Sequence, residues 1–135
     1  MNQTELNEYA NRYAKAWSSQ DPESVAAFYS EGGSLSVNDE APAVGREAII
    51  EIARGFMKAF PDMEVRMNNV VSQSQGIVFS WTLTGTNTGP GGTGQQVRIS
   101  GYELWQLGTD GRIVESKGRF DVAEYERQLE HGFDG

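Results

Sequence analysis

At Pro61 the hydrophobic period of this chain changes, from about 3.6 residues before it to about 2 after it. Upstream, Leu6, Tyr9, Ala10, Tyr13 and Trp17 share one helical face, with Asn7, Glu8, Asn11, Arg12 and Lys15 on the other. Asp21-Pro22 restarts a short helix, Asp as N-cap and Pro at the first helical position, which carries Val25, Ala26, Phe28 and Tyr29. Gly33 to Asn38 reads as a short strand. Ile49, Ile52, Ala53, Phe56, Met57 and Phe60 then mark a third helix, which Pro61 ends because the residue before a proline disfavours helical backbone. Downstream, Met63, Val65 and Met67 alternate with Glu64, Arg66 and Asn68, and Ile77, Phe79, Trp81 and Leu83 alternate with Val78, Ser80, Thr82 and Thr84. Two more strands, about Gln95 to Leu107 and Arg112 to Phe120, flank the turn Gly108-Thr109-Asp110-Gly111, and a helix runs from Val122 to about Leu129.

A chain with these two halves folds as α+β: a curved antiparallel sheet wrapped around N-terminal helices, forming a cone with an apolar pocket. Gly85 and Gly101 inside long strands support the bend. At 135 residues the expectation is one domain over residues 1–135, large enough to enclose one core. A composition of 38% hydrophobic and 22% charged residues argues against disorder.

The bulk chemistry excludes several functions. A net charge of −8 with no Lys/Arg stripe disfavours nucleic acid. No apolar run approaches the roughly 18 residues of a membrane span, and no signal peptide is visible, so the cytoplasm is the expected location. There is no cysteine, and the single histidine, His131, sits in a polar tail, so neither a Ser-His-Asp triad nor a histidine zinc site can be assembled. No metal and no cofactor are expected. Gly89-Pro90-Gly91-Gly92-Thr93-Gly94 matches G-x-G-x-x-G, but a strand follows where dinucleotide binding needs a helix.

Several short motifs recur in a definite order. They are Gly45-Arg46-Glu47-Ala48-Ile49, Ala59-Phe60-Pro61-Asp62, Gly85-Thr86-Asn87-Thr88-Gly89, Thr93-Gly94-Gln95, Gly111-Arg112-Ile113-Val114-Glu115, Phe120-Asp121 and Gln128-Leu129. Their order and spacing resemble the SnoaL-like polyketide cyclase family, within the nuclear-transport-factor-2-like (cystatin-like α+β cone) superfamily. The resemblance implies an apolar pocket in a cone-shaped sheet, often in a homodimer paired through the sheets. It also implies an acidic residue that shuttles the proton of an intramolecular aldol closure without metal or cofactor, at the position of Asp121. Family members often carry histidine where this chain has Asn87, and His-Trp where it has Ser116-Lys117.

The candidate catalytic residues are therefore Asp121 and Asn87. At the mouth of an apolar pocket a carboxyl is pushed toward the protonated form and becomes a proton shuttle. Asp121-Val122-Ala123-Glu124 also has the form of a capping box, in which the carboxylate is used on backbone N–H groups. The Asn87 amide could donate to an enolate oxygen, or serve the tight backbone of a glycine-rich turn. Candidate substrate-binding residues are Tyr13, Trp17, Phe56, Phe60, Trp81, Glu103 and Lys117. The aromatic members suit a flat apolar ligand. Odd positions from Val97 to Leu107 share a face, as do Ile113, Glu115, Lys117, Arg119 and Asp121, so Glu103 could pair with Lys117 or Arg119 beside Asp121. An exposed salt-bridge ladder is the preferred account of these charges, and a bulge would reverse the parity.

Two functions follow as expectations. The first is a cofactor-free cyclase or isomerase acting on an apolar polyketide-like or polycyclic carbonyl substrate. The second is a non-catalytic protein that binds a small apolar molecule. A homodimer is the expected assembly.

Overall fold

A computed structural model describes residues 1–135. Helix α1 (Gln3–Ser18) opens with a capping box: the Asn2 side chain accepts from the Glu5 N–H at 2.8 Å, and Asn2 N–H donates to the Glu5 carboxylate at 3.0 Å. Helix α2 (Pro22–Ala26) starts on the Asp21 cap and is shorter than its apolar residues suggested. Tyr29, read from sequence as helical, begins strand β1 (Tyr29–Val37). A two-residue strand β2 (Ala43–Val44) precedes helix α3 (Arg46–Ala59). Strands β3 (Glu64–Gln73), β4 (Gly76–Thr86), β5 (Gln96–Leu107) and β6 (Ile113–Phe120) follow, and helix α4 (Val122–His131) closes the chain. No helix is long and apolar enough to cross a membrane.

The six strands form one open, curved sheet in the order β2-β1-β6-β5-β4-β3. From β3 to β6 each strand pairs antiparallel with the next, as the alternating pattern and tight turns require. The sheet is not wholly antiparallel, however: β1 pairs with β6 in parallel. The connection between them runs through α3 and four strands, so no hairpin dictates their relative direction. Helix α1 lies against β3, α3 against β1 and α2, and α4 against β5.

Side chains with no exposed surface to speak of fill the concave side, the largest being Trp105, Tyr13, Tyr29, Phe60 and Phe79. Phe79 and Trp105, on neighbouring strands, stack with centroids 4.9 Å apart, and Tyr13 of α1 stands edge-on to both at 5.3 and 5.1 Å. The outer face exposes Tyr102 and Val114.

One irregularity decides what the sheet presents inward. Gln106 pairs with Glu115, but Leu107 pairs with Ile113, so Val114 is an extra residue in β6. Such a bulge flips the facing of every later residue on its strand. Ile113 faces the core, and so do Ser116 and Gly118, whereas Lys117 and Arg119 turn outward. Lys117 lies 3.9 Å from Glu115 and Arg119 2.8 Å from Asp39, all four on the solvent side.

Gly101 makes room on β5 for the Trp81 ring and the backbone of β6. A Cβ there would fall 2.6 Å from Trp81 Cζ2 and collide with the Arg119 carbonyl oxygen. Gly101→Ala should therefore destabilise the domain by about 1–3 kcal/mol. Urea unfolding checks this, the midpoint falling while the slope stays constant.

Candidate functional site

Between the concave sheet and the helices lies a cavity of about 60 Å³. Trp17 of α1 and Phe56 of α3 form one wall, their rings edge-to-face at 6.1 Å. Leu35 and Val37 of β1, and Phe79, Trp81 and Leu83 of β4, form another. Val65, Gly118 and Phe120 complete it. Glu103 is the one titratable side chain in this apolar lining.

Glu103 is buried, and it is the only charged residue type among the buried side chains. It sits on β5 between Gly101 and Trp105, on the face that Val97 and Ile99 also bury. Its two oxygens differ. Oε1 accepts from Tyr13 Oη at 2.8 Å, Trp105 Nε1 at 2.9 Å and Ser116 Oγ at 2.7 Å. Oε2 has no protein partner. The Tyr13 hydroxyl has a single proton, which it gives to Glu103, so Tyr29 Oη at 2.7 Å from it is the donor in that pair. A chain of hydroxyls thus runs Tyr29 to Tyr13 to Glu103 Oε1.

None of these partners is a cation, so nothing offsets the cost of a buried carboxylate except hydrogen bonds. Burial pushes the Glu103 carboxyl above the ordinary glutamate range, and the bonds from Trp105, Ser116 and Tyr13 pull it part of the way back. Burial also holds Tyr13 and Tyr29 well above the usual phenol value, with the Glu103 charge adding to it, so both stay protonated as donors. With Oε1 already serving three donors, the network assigns the carboxyl proton to Oε2.

The structure brings Trp17, Phe56, Trp81 and Glu103 together at the cavity. Tyr13 lies one layer behind, touching the site through Glu103. Phe60 is fully buried but packs behind Gly85 and against Tyr125, away from the cavity lining. Lys117 is exposed on the outer face, since the Val114 bulge reverses its parity. Glu103 accordingly makes neither the ion pair nor the surface ladder that the unbulged pattern offered.

Neither sequence candidate for catalysis reaches the cavity. Asp121 is exposed, and its Oδ1 accepts from the Glu124 N–H at 3.1 Å as the cap of α4. The second half of the capping box is missing, because Glu124 turns to Arg127 at 2.8 and 2.9 Å and to Gln128 at 2.6 Å. Those bonds, Arg127's first, lower the Glu124 carboxyl to about 2. Asn87 is buried in the glycine-rich turn. Its Nδ2 donates to the Ala59 carbonyl at 3.1 Å, and its Oδ1 accepts from the Thr93 N–H at 2.8 Å, tying that turn to the end of α3.

The sequence reading missed Ser116 and Tyr29 as members of the network, and Leu35, Val37 and Phe120 as walls. For Ser116 and Phe120 the missing signal is the bulge, which a strand pattern does not display. Tyr29 was hidden by its placement in a helix.

The family model described as SnoaL-like polyketide cyclase matches residues 7–129. No curated protein matches in sequence. Among solved structures, a protein described as a SnoaL-like polyketide cyclase from Jannaschia sp. CCS1 is 23% identical, with a TM-score of 0.79 over 94% of this chain and 92% of that one. AclR from Streptomyces galilaeus, described as a hydroxylase, is 20% identical, with a TM-score of 0.78 over 95% and 86%. A protein of ketosteroid-isomerase-like fold from Catenulispora acidiphila is 14% identical, with a TM-score of 0.72 over 82% and 83%. At these identities the likeness is one of fold.

A raised carboxyl has a signed effect on stability. Folded Glu103 holds its proton more tightly than the unfolded chain does, whose value is about 4.3. Its contribution is therefore fully present below that value and is lost as pH rises through the folded one. Glu103→Gln keeps the shape and places a permanent donor where Oε2 stands. Thermal melts should show the variant more stable than wild type at pH 8, with the difference shrinking toward pH 4. A constant difference across that range would contradict a raised carboxyl.

Proposed function

We propose that this chain, which belongs to the SnoaL-like polyketide cyclase family, is a proton-transfer enzyme of the cyclase or isomerase type that uses Glu103 Oε2 on an apolar carbonyl substrate. One observation carries the reading. A buried carboxyl, alone in an apolar cavity, has one oxygen saturated by three protein donors and the other free.

The chemistry follows from that asymmetry. In its ionised form Glu103 takes a proton from the carbon beside the substrate carbonyl through Oε2, and an enolate forms. The enolate carbon attacks a second carbonyl, or the proton returns at another carbon, and Glu103 gives the proton back. The Tyr29–Tyr13 chain, Trp105 and Ser116 hold the carboxyl in place through both states. A carboxyl raised by burial binds and releases its proton closer to neutral pH than an exposed glutamate, which is where acid–base catalysis is most effective.

The cavity volume bears on the substrate. A dry cavity that accommodates benzene measures about 150 Å³, against about 60 Å³ here. A ring therefore enters only as aromatic side chains shift. Phe120 is placed for this at the end of β6, where it packs edge-to-face with Trp81 at 6.0 Å and with Tyr125 of α4 at 5.5 Å. The small volume and near-uniform apolar wall also favour a second reading, a pocket that holds a small apolar molecule without transforming it.

Exchange of α-protons for deuterium, followed by NMR over a panel of cyclic ketones and β-keto esters, separates the two. The enzyme reading expects exchange in wild type and a fall of about 10²- to 10⁴-fold in Glu103→Gln. Asp121→Ala should leave exchange unchanged while costing about 1 kcal/mol of stability through its lost cap. Equal exchange in wild type and Glu103→Gln would remove Glu103 from the chemistry. Binding without exchange would support the second reading.

A further inference from the structure

Two polar groups at the cavity have no part in the proton chemistry. The indole Nε1–H groups of Trp17 and Trp81 are enclosed, and neither has a hydrogen-bond partner. They are the only two such side-chain atoms in the chain, and both belong to residues that line this one cavity. The third tryptophan, Trp105, donates to Glu103 at 2.9 Å, so the fold does satisfy an indole where the N–H has only a structural task. Leaving a buried donor unbonded costs about 1–3 kcal/mol. Two of them in one small space are a concentrated cost that packing does not require.

The sheet register fixes where one of them lies. Trp81 pairs with Gly101 and Phe79 with Glu103, so Trp81 and Glu103 are diagonal neighbours on the inner face, about 7–8 Å apart. Gly101 leaves the room in which the Trp81 ring lies against β5. Trp17 approaches from α1. Its ring stands edge-on to Tyr13, with centroids 6.4 Å apart, and its N–H has no hydrogen-bond partner. Trp81, which shares the inner face of the sheet with Glu103, is the donor placed beside the carboxyl by the register.

An indole N–H donates and cannot accept. Such groups suit a ligand oxygen with lone pairs, and offer nothing to an amine or an ammonium. No cation lines the cavity to hold a carboxylate or a phosphate. We propose that the ligand of this cavity is an apolar molecule bearing a neutral carbonyl, and that Trp81 Nε1–H, with Trp17 Nε1–H beside it, receives the carbonyl oxygen. This deepens the acid–base reading and rests on it only for placing the reacting carbon near Glu103. Both donors are enclosed, so the oxygen reaches them through the same aromatic shift that a ring needs to enter. As negative charge grows on that oxygen, the same N–H strengthens its bond and stabilises the enolate.

The test compares cyclohexanone with methylenecyclohexane, which has a CH₂ group in place of the oxygen, on the intact chain. Indole N–H resonances are followed by ¹⁵N–¹H NMR and assigned with Trp17→Phe and Trp81→Phe, leaving Trp105 by elimination. The ketone should bind about tenfold more tightly than the hydrocarbon. It should move the Trp81 indole proton downfield and leave that of Trp105 in place. Trp81→Phe should abolish the ketone's advantage while still binding the hydrocarbon, and the wild-type shifts stand whether or not that variant folds. Equal affinity for the two probes without a downfield shift, tighter binding of the hydrocarbon, or no binding of either would each overturn the proposal. A ketone advantage combined with Glu103-independent exchange would leave the donor site standing and remove the acid–base reading.

Discussion

A carboxyl buried without a cation is the constraint around which this fold is arranged. Glu103 is the only buried residue of a charged type, and it survives in the interior because donors from three separate elements converge on one of its oxygens. Tyr13 comes from α1, Trp105 from β5 itself, and Ser116 from β6. Loss of Tyr13 would also strand the Tyr29 hydroxyl that donates to it, and unsatisfied buried polar groups are costly. The Tyr13 hydrogen bond thus joins α1 to the sheet at the point where its ring packs on Phe79 and Trp105.

The same arrangement separates structure from chemistry on a single side chain. Oε1 is committed to holding the fold, and Oε2 is left to the cavity. This division depends on the bulge at Val114, which turns Ser116 inward to Glu103 and sends Lys117 and Arg119 out to solvent. Without that extra residue a cation would stand beside Glu103, lower its carboxyl and keep it ionised. Gly118, opposite Glu103, lines the cavity without a side chain, and a Cβ there would press on the Ser36 carbonyl oxygen at 3.3 Å.

Much of this was legible in the sequence, for identifiable reasons. The change of period at Pro61 separates helices from hairpins, and aromatic residues on one face of α1 and on alternate positions of β4 announce the core. Trp17, Phe56, Trp81 and Glu103 were found because periodicity assigns a face to each of them. The parallel pairing of β1 with β6 was not legible, since no local signal links segments so far apart. Asp121 and Asn87 were selected by motif position, and their side chains are used on backbone groups, a local duty that the motif does not reveal. A bulge shifts facing without changing composition, so the strand pattern does not place Ser116 beside Glu103. Glu103 was visible as a candidate, yet its burial without a cation required the three-dimensional network.

The protonation of Glu103 is the hinge of the account, and a ¹³C titration of its side-chain carboxyl measures it directly. The midpoint should lie above the ordinary glutamate range, in a resonance absent from Glu103→Gln. A midpoint within or below that range would show a carboxylate already stabilised as an anion, and would contradict Glu103 as a proton carrier in an apolar site.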